Sequence, residues 1–215
     1  MQDEEKPFRA KQRRFRRIGL LLIGAGIVCA AGYFFGFGNA NKQINPDIDA
    51  RTRAKWAKSM DLPGLPNLHK VSDDLYRGAQ PSAEGMRQLE TLGVKTIVNL
   101  RSSHSDRDEL QETGLAYEHI EMTPWNPESE DVVRFLQIVS DSHSVPVFVH
   151  CQHGADRTGL MCAMYRIAVQ GWSRDEAIEE MTEGGFGFHE IWNNLPRYIR
   201  KLDLEEMKRP IGLNE

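Results

Sequence analysis

Cysteine is scarce in this chain: three residues in 215, an odd number, with no CxxC and no Cys/His grouping at metal-ligand spacing. That argues against a disulfide scaffold and against a structural zinc site, so each cysteine is to be judged alone. A basic body is also missing. Residues 1–17 hold seven Lys/Arg against three acidic residues, which leaves 20 basic residues facing 28 acidic ones in the remainder. So acidic a body argues against nucleic acid as a partner, because gripping a phosphate backbone needs a basic face. Any anionic substrate must be captured locally, in one pocket. Internal repeats and low-complexity tracts are absent too. What remains is ordinary globular composition at a length suited to one domain plus an appendage.

The appendage is N-terminal. Residues 18–37 run for 20 positions without a charge, which as a helix would span roughly 30 Å, the thickness of a bilayer's hydrocarbon core. The basic cluster of residues 1–17 reads as a cytoplasmic tail under the positive-inside tendency. The expectation is a single-pass signal anchor over 18–38 in the inner membrane, with the body on the periplasmic side. The alternative is a cleaved signal with release to the periplasm, since Gly38-Asn39-Ala40 offers small residues at a cleavage site. Cys29, inside this run, reads as a small apolar residue in lipid. Residues 39–66 read as a linker with a short helical stretch near 50–60.

From residue 68 the pattern alternates strand and helix. A short strand at 74–77 ends in the turn Gly78-Ala79-Gln80-Pro81. Ser82 then N-caps a helix with Met86, Leu89 and Leu92 on its apolar face, stopped by Gly93. Residues 94–100 (VKTIVNL) are a mostly apolar run, as in a sheet covered on both faces. A short helix is expected at 106–112, a strand at 115–122, a helix at 128–141 and a β-branched strand at 145–150 (VPVFVH). An apolar helix follows over 160–169, and Ser173 and Glu176 have capping-box spacing for the next. Helical stretches are expected near 191–195 and 196–207. The alternation predicts an α/β fold, a mainly parallel central sheet flanked by helices.

The strand at 145–150 runs into Cys151-Gln152-His153-Gly154-Ala155-Asp156-Arg157-Thr158-Gly159, a loop entering a helix. Successive backbone N–H groups from Gln152 to Arg157 can curl around an anion while the helix N-terminus points at the same spot. Arg157 can return its planar fork to two phosphate oxygens, a contact that Lys cannot reproduce. The same field favours the Cys151 thiolate, which can attack a bound phosphorus in line. Arg157 and the loop amides would stabilise the equatorial oxygens, and the Thr158 hydroxyl can donate to the sulfur as it leaves. His150 reads as a loop-orienting residue. His153 either makes the site electropositive or faces solvent. Cys162 reads as core. Arg101 either braces a loop near the pocket or forms a surface salt bridge.

Cys151-x5-Arg157-Thr158, with LYRGAQP, VKTIVNLR and VFVHCQHGADRTG around it, resembles the signature of the cysteine-dependent dual-specificity and protein-tyrosine phosphatases, and is most like their bacterial periplasmic members. The resemblance covers about 68–204 and implies a phosphatase domain over 67–208, a tail at 209–215, and no metal or organic cofactor. It implies a thiophosphate mechanism on phosphotyrosine proteins, with phosphoserine and phosphothreonine as further substrates. Readings left open beside it are a lipid or inositol phosphate phosphatase at the membrane and a non-catalytic phosphate-binding module. The family usually takes its general acid, an Asp, from a loop that corresponds here to Thr123-Pro124-Trp125-Asn126-Pro127. No Asp stands there, and Pro124 occupies the expected position. Asp156, inside the cysteine loop, is the expected acid and later the base. Glu128 is the alternative, with Glu130 and Asp131 beside it, although all three also suit a helix first turn.

Overall fold

The computed structural model describes residues 48–212. The predicted anchor over 18–38 lies outside them. Among the described residues, no helix is long and apolar enough to cross a membrane.

The chain runs α1 (Ala50–Lys55), β1 (Lys58–Ser59), β2 (His69–Lys70), β3 (Leu75–Gly78), α2 (Ala83–Thr91), β4 (Thr96–Arg101), β5 (Ala116–Met122), α3 (Ser129–Ser140), β6 (Val147–His150), α4 (Asp156–Ala168), α5 (Arg174–Glu183), α6 (Asn194–Lys201) and α7 (Leu204–Lys208). The six strands form one sheet in the order β1-β2-β3-β6-β4-β5. The β3–β6, β6–β4 and β4–β5 pairings are parallel, while β1 and β2 add a short antiparallel edge. The sheet is thus mainly parallel in its centre, as the strand–helix alternation predicts.

Side-chain alternation along the central strands sorts residues onto two cores. Ile97 and Phe148 point to one, packing with Leu65, Leu68, Met86 and Leu89 under α2. Val98, Leu100, Val147 and Val149 point to the other, packing with Phe135, Leu136, Leu160, Met164, Ile178 and Ile199 from α3 to α6. Both faces are therefore covered, and all four β6 residues are buried. At roughly 25 cal/mol per Å² of apolar area, this two-sided burial is what fixes the register of β6, because a one-residue slip would send Phe148 to the wrong core.

Three local readings change. The expected helix at 106–112 is a series of turns. Its first residue, Asp106, is fully buried with its carboxylate against His150, which draws the chain inward instead of along a helix axis. The stretch 196–207 is two helices, not one. The Arg174 guanidinium takes the Arg200 and Leu202 carbonyls at 2.5 and 2.7 Å, and the Asp203 carboxylate then accepts from the Glu205 and Glu206 amides to start α7. Near 191–195 only a 3₁₀ turn, Glu190–Trp192, forms before α6. By contrast, α5 has the capping box read from Ser173 and Glu176. In the segment read as a linker, Ile48, Trp56 and Leu65 are buried against the body and β1 joins the sheet.

Candidate active site

The site is set by the place of β6 at the centre of the sheet. His150, its last residue, pairs in register with Gly78 of β3 and Asn99 of β4, so Cys151 emerges at the carboxyl edge between the two parallel neighbours. In a parallel sheet this edge is where ligands bind. Cys151 is buried, at 2% exposure. After five residues the chain enters α4 at Asp156, four residues earlier than its apolar run suggests. The N-cap, Ala155, has no side chain able to accept from the first-turn amides. Those N–H groups are thus left for an anion, with the helix dipole behind them.

Gly154 shows why the loop can close so tightly. Its φ is +70°, and an added Cβ would collide with the Gly78 and Ala79 backbone. Two side chains, Arg77 and Asn67, hold it there. Arg77, 1% exposed, donates from Nη2 to the Gly154 carbonyl at 2.7 Å while its guanidinium lies 3.7 Å from the Phe186 ring centre. Asn67 donates from Nδ2 to both the His153 and Phe186 carbonyls at 2.9 Å. Neither Arg77 nor Asn67 stands out by sequence spacing; the only signal was the presence of Arg77 within the LYRGAQP segment.

A second network backs the strand end. His150 and Asp106 are fully buried, and His150 Nε2 donates to Asp106 Oδ2 at 2.7 Å, while Nδ1 lies 3.4 Å from the Cys151 carbonyl. Asp106 Oδ1 accepts from Gln80 Nε2 at 2.8 Å, and Gln80 Oε1 accepts from Arg101 at 2.9 Å. Burial pushes the Asp106 carboxyl up, but the hydrogen bonds from His150 and Gln80 outweigh it and hold the group below its ordinary value. Arg101 is therefore a brace behind the loop. Asp106 is a further residue of the site that the sequence, read as a helix start, did not indicate.

Arg157 is half-buried. Its Nη1 donates to the Leu100 and Met122 carbonyls at 3.2 and 3.3 Å, at the ends of β4 and β5. These contacts hold the guanidinium at the carboxyl ends of both strands. Thr158 is fully buried and its hydroxyl has no hydrogen-bond partner. Gln152 and His153 are exposed at the mouth. Cys162 lies on the buried side of α4, where burial pushes its thiol up to about 11. That environment suits core packing and not thiolate chemistry.

The acid candidates sit differently from one another. Asp156 is 7% exposed, and both of its oxygens meet His189: Oδ1 accepts from the backbone N–H and Oδ2 from ring Nδ1, each at 2.9 Å. Glu128 is exposed at the N-cap of α3 and accepts from Asn126 at 3.1 Å. Burial, with Glu128 and Glu130 nearby, raises the Asp131 carboxyl above its ordinary value. The loop between β5 and α3 turns back through a bridge from Thr123 to Asn126, and the Pro124 carbonyl accepts from Asn194 at 2.7 Å. Trp125, 66% exposed, stands beside Trp192, with ring centres 6.4 Å apart.

A buried cysteine at the end of a central parallel strand, an uncapped helix N-terminus and an arginine held at the carboxyl ends of β4 and β5 thus lie at one edge of the sheet. The family described as "DSP-PTPase phosphatase fused to NAD+ Kinase" matches residues 65–194. Dual specificity protein phosphatase TpbA of Pseudomonas aeruginosa (strain UCBPP-PA14) is 35% identical over 164 residues, 74% of this chain and 72% of its own. The chain belongs to the dual-specificity protein phosphatase family. It is a phosphatase, a hydrolase of the protein-tyrosine/dual-specificity type. The crystal structure of a cysteine-to-serine form of P. aeruginosa TpbA in complex with pTyr superposes with a TM-score of 0.66 at 33% identity, covering 74% of this chain and 96% of that one. Inositol diphosphatase DSP5 of Arabidopsis thaliana is 29% identical over 125 residues, 54% of this chain and 60% of its own.

Proposed function

We propose that this phosphatase hydrolyses phosphotyrosine, and also phosphoserine and phosphothreonine, in proteins by a two-step displacement on Cys151. The observation that carries the reading is the convergence of Cys151, the uncapped start of α4 and Arg157 on one spot at the carboxyl edge of the sheet. In the first step the Cys151 sulfur attacks phosphorus and the leaving oxygen departs with the bonding electron pair and gains a proton. In the second, water attacks the phosphocysteine and the thiolate is released. The loop amides from Gln152 through Ala155 and Asp156, with Arg157, hold the equatorial oxygens where charge builds. Thr158, its buried hydroxyl unpartnered, can turn to the departing sulfur. His150 acts through the loop, held by Asp106.

Phosphotyrosine is favoured over a polyanion for two reasons. The loop itself has one Arg and no Lys, and exposed Trp125, paired with the half-buried Trp192, offers an apolar wall for an aryl group. The likeness to an inositol diphosphatase keeps an inositol phosphate as the second reading, and residues 18–38 as an anchor would bring either substrate class to a membrane surface. On this account the domain works on the periplasmic side. A C-terminal reporter fusion active only in the cytoplasm would overturn that placement.

The test is turnover. The purified protein, with chelator present, is expected to release phosphate from phosphotyrosyl peptides faster than from inositol polyphosphates. Cys151→Ser is expected to lose all activity, and to trap phosphoproteins from membrane extracts. Activity surviving Cys151→Ser would remove the mechanism. Phosphate binding without turnover by the wild-type protein would favour a non-catalytic module.

A further inference from the structure

Asp156 presents a difficulty as the proton donor. A carboxyl that gives up a proton needs an oxygen turned to the leaving group, yet both Asp156 oxygens face the same residue: Oδ1 takes the His189 backbone N–H and Oδ2 the His189 ring, each at 2.9 Å. The arrangement is that of a carboxylate orienting an imidazole. With Nδ1 committed to Asp156, the other ring nitrogen, Nε2, lies on the far side of a ring that is 49% exposed. We propose that His189, oriented by Asp156, is the group that protonates the leaving oxygen and then activates water.

His189 is held against the cysteine loop by more than that pair. Its ring centre is 5.6 Å from that of His153, so it spans loop positions 153 and 156 at the mouth of the cradle. Three residues earlier, Phe186 is buried beneath the Arg77 guanidinium, and its carbonyl accepts from Asn67, the residue that also holds the His153 carbonyl. Gly185 and Gly187, at φ +82° and +84°, let the chain turn on either side of Phe186. Arg77 and Asn67 thus fasten the 184–189 segment and the phosphate loop to each other. Buried Arg77 and half-buried Asn67 place His189 beside Asp156, while Thr123–Pro127, where the family's acid is expected, has no acidic residue.

The proton accounting closes. As the Cys151 sulfur bonds to phosphorus, the P–O bond breaks with its electron pair on the leaving oxygen, which takes the proton from imidazolium Nε2. In the second step the water oxygen bonds to phosphorus, the S–P bond breaks to return the thiolate, and the water proton goes to Nε2. Asp156 keeps both oxygens on His189 and so fixes the ring with Nε2 as the nitrogen that exchanges the proton, the role of an orienting carboxylate in acid–base dyads. The charged and titratable groups facing the ring are Asp156 from α4 and His153 from the loop, with Glu190 next along the chain.

The proposal rests on Cys151 chemistry, and its test separates the two. His189→Asn, Asp156→Asn and wild type are compared on phenyl phosphate, whose leaving group needs a proton, and on an activated nitrophenyl phosphate, whose leaving group does not. General acid catalysis is worth on the order of 10²–10⁴-fold. A kcat/KM loss, which reports the first step alone, of at least about 10²-fold on the phenyl ester, but far less on the nitrophenyl ester, is expected for both variants. For the phenyl ester the high-pH limb of the wild-type kcat/KM profile disappears in His189→Asn, and imidazole added to His189→Ala restores part of the rate. Thermal unfolding of each variant is followed alongside. Equal loss of kcat/KM on both esters, or full activity on the phenyl ester, overturns the role of His189 while Cys151-dependent turnover by the wild type stands. A wild type inactive on both esters overturns the Cys151 mechanism and this role together.

Discussion

Single side chains decide whether the cradle works. Arg157 is the clearest case, because its guanidinium is already held by two strand carbonyls. Arg157→Lys keeps the charge and loses the planar pair of donors, so kcat/KM is expected to fall by about 10²–10³-fold in steady-state assays, the scale of losing one transition-state donor. Asp106 acts one shell further out. Its carboxyl is held below its ordinary value by His150 and Gln80 against the effect of burial. A carboxyl more acidic in the folded than in the unfolded chain adds stability that is fully present above about pH 4 and is lost as pH falls through the folded value. Asp106→Asn is therefore expected to flatten the acid limb of the stability curve, as read by denaturant unfolding across pH, and to lower kcat by loosening His150. At this scale the sequence was legible in placing Cys151 at a strand end and Arg157 and Thr158 at a helix start, where spacing alone sets the position. Arg77, Asn67, Asp106 and His189 come to the site from 33 to 86 positions away along the chain, through contacts no local pattern encodes.

At the scale of elements, the strands and helices with two clear faces could be read, and those shaped by a tertiary polar contact could not. β4, β6, α2 and α5 carry their evidence in periodicity and caps. The 106–112 turns and the break between α6 and α7 do not, because a buried carboxylate and the Arg174 guanidinium redirect those backbones. The loop from β5 to α3 has Pro124 where an acid is expected, and it presents Trp125 to solvent beside Trp192. If that pair is a wall for an aryl ring, Trp125→Ala raises KM for a phosphotyrosyl peptide by roughly 10-fold, the cost of losing one aromatic contact, and leaves KM for a small alkyl phosphate unchanged. Equal KM changes on both substrates would mean that the pair only shapes the loop.

For the molecule as a whole, one buried ion pair joins the N-terminal part of the described chain to the helical layer. Arg166 and Glu180, 3% and 4% exposed, meet through two contacts of 2.6 and 2.7 Å. Glu180 also accepts from the Ala57 amide, and Arg166 donates to the Lys55 and Val71 carbonyls. Glu180→Gln leaves a buried guanidinium without its counter-charge and is expected to lower unfolding free energy by about 3 kcal/mol, with kcat per folded molecule retained. That outcome would separate what holds residues 48–59 on the body from what runs the chemistry.

The central claim is that Cys151 carries the phosphoryl group between two half-reactions, and it can be observed directly. Wild-type enzyme mixed with a fast aryl phosphate, quenched in acid within the first turnover and mapped by peptide mass spectrometry, should carry one phosphoryl group on the sulfur of Cys151. Product release should show a matching burst. A quenched enzyme with steady turnover and no adduct, or with the phosphoryl group on another residue, would contradict the account.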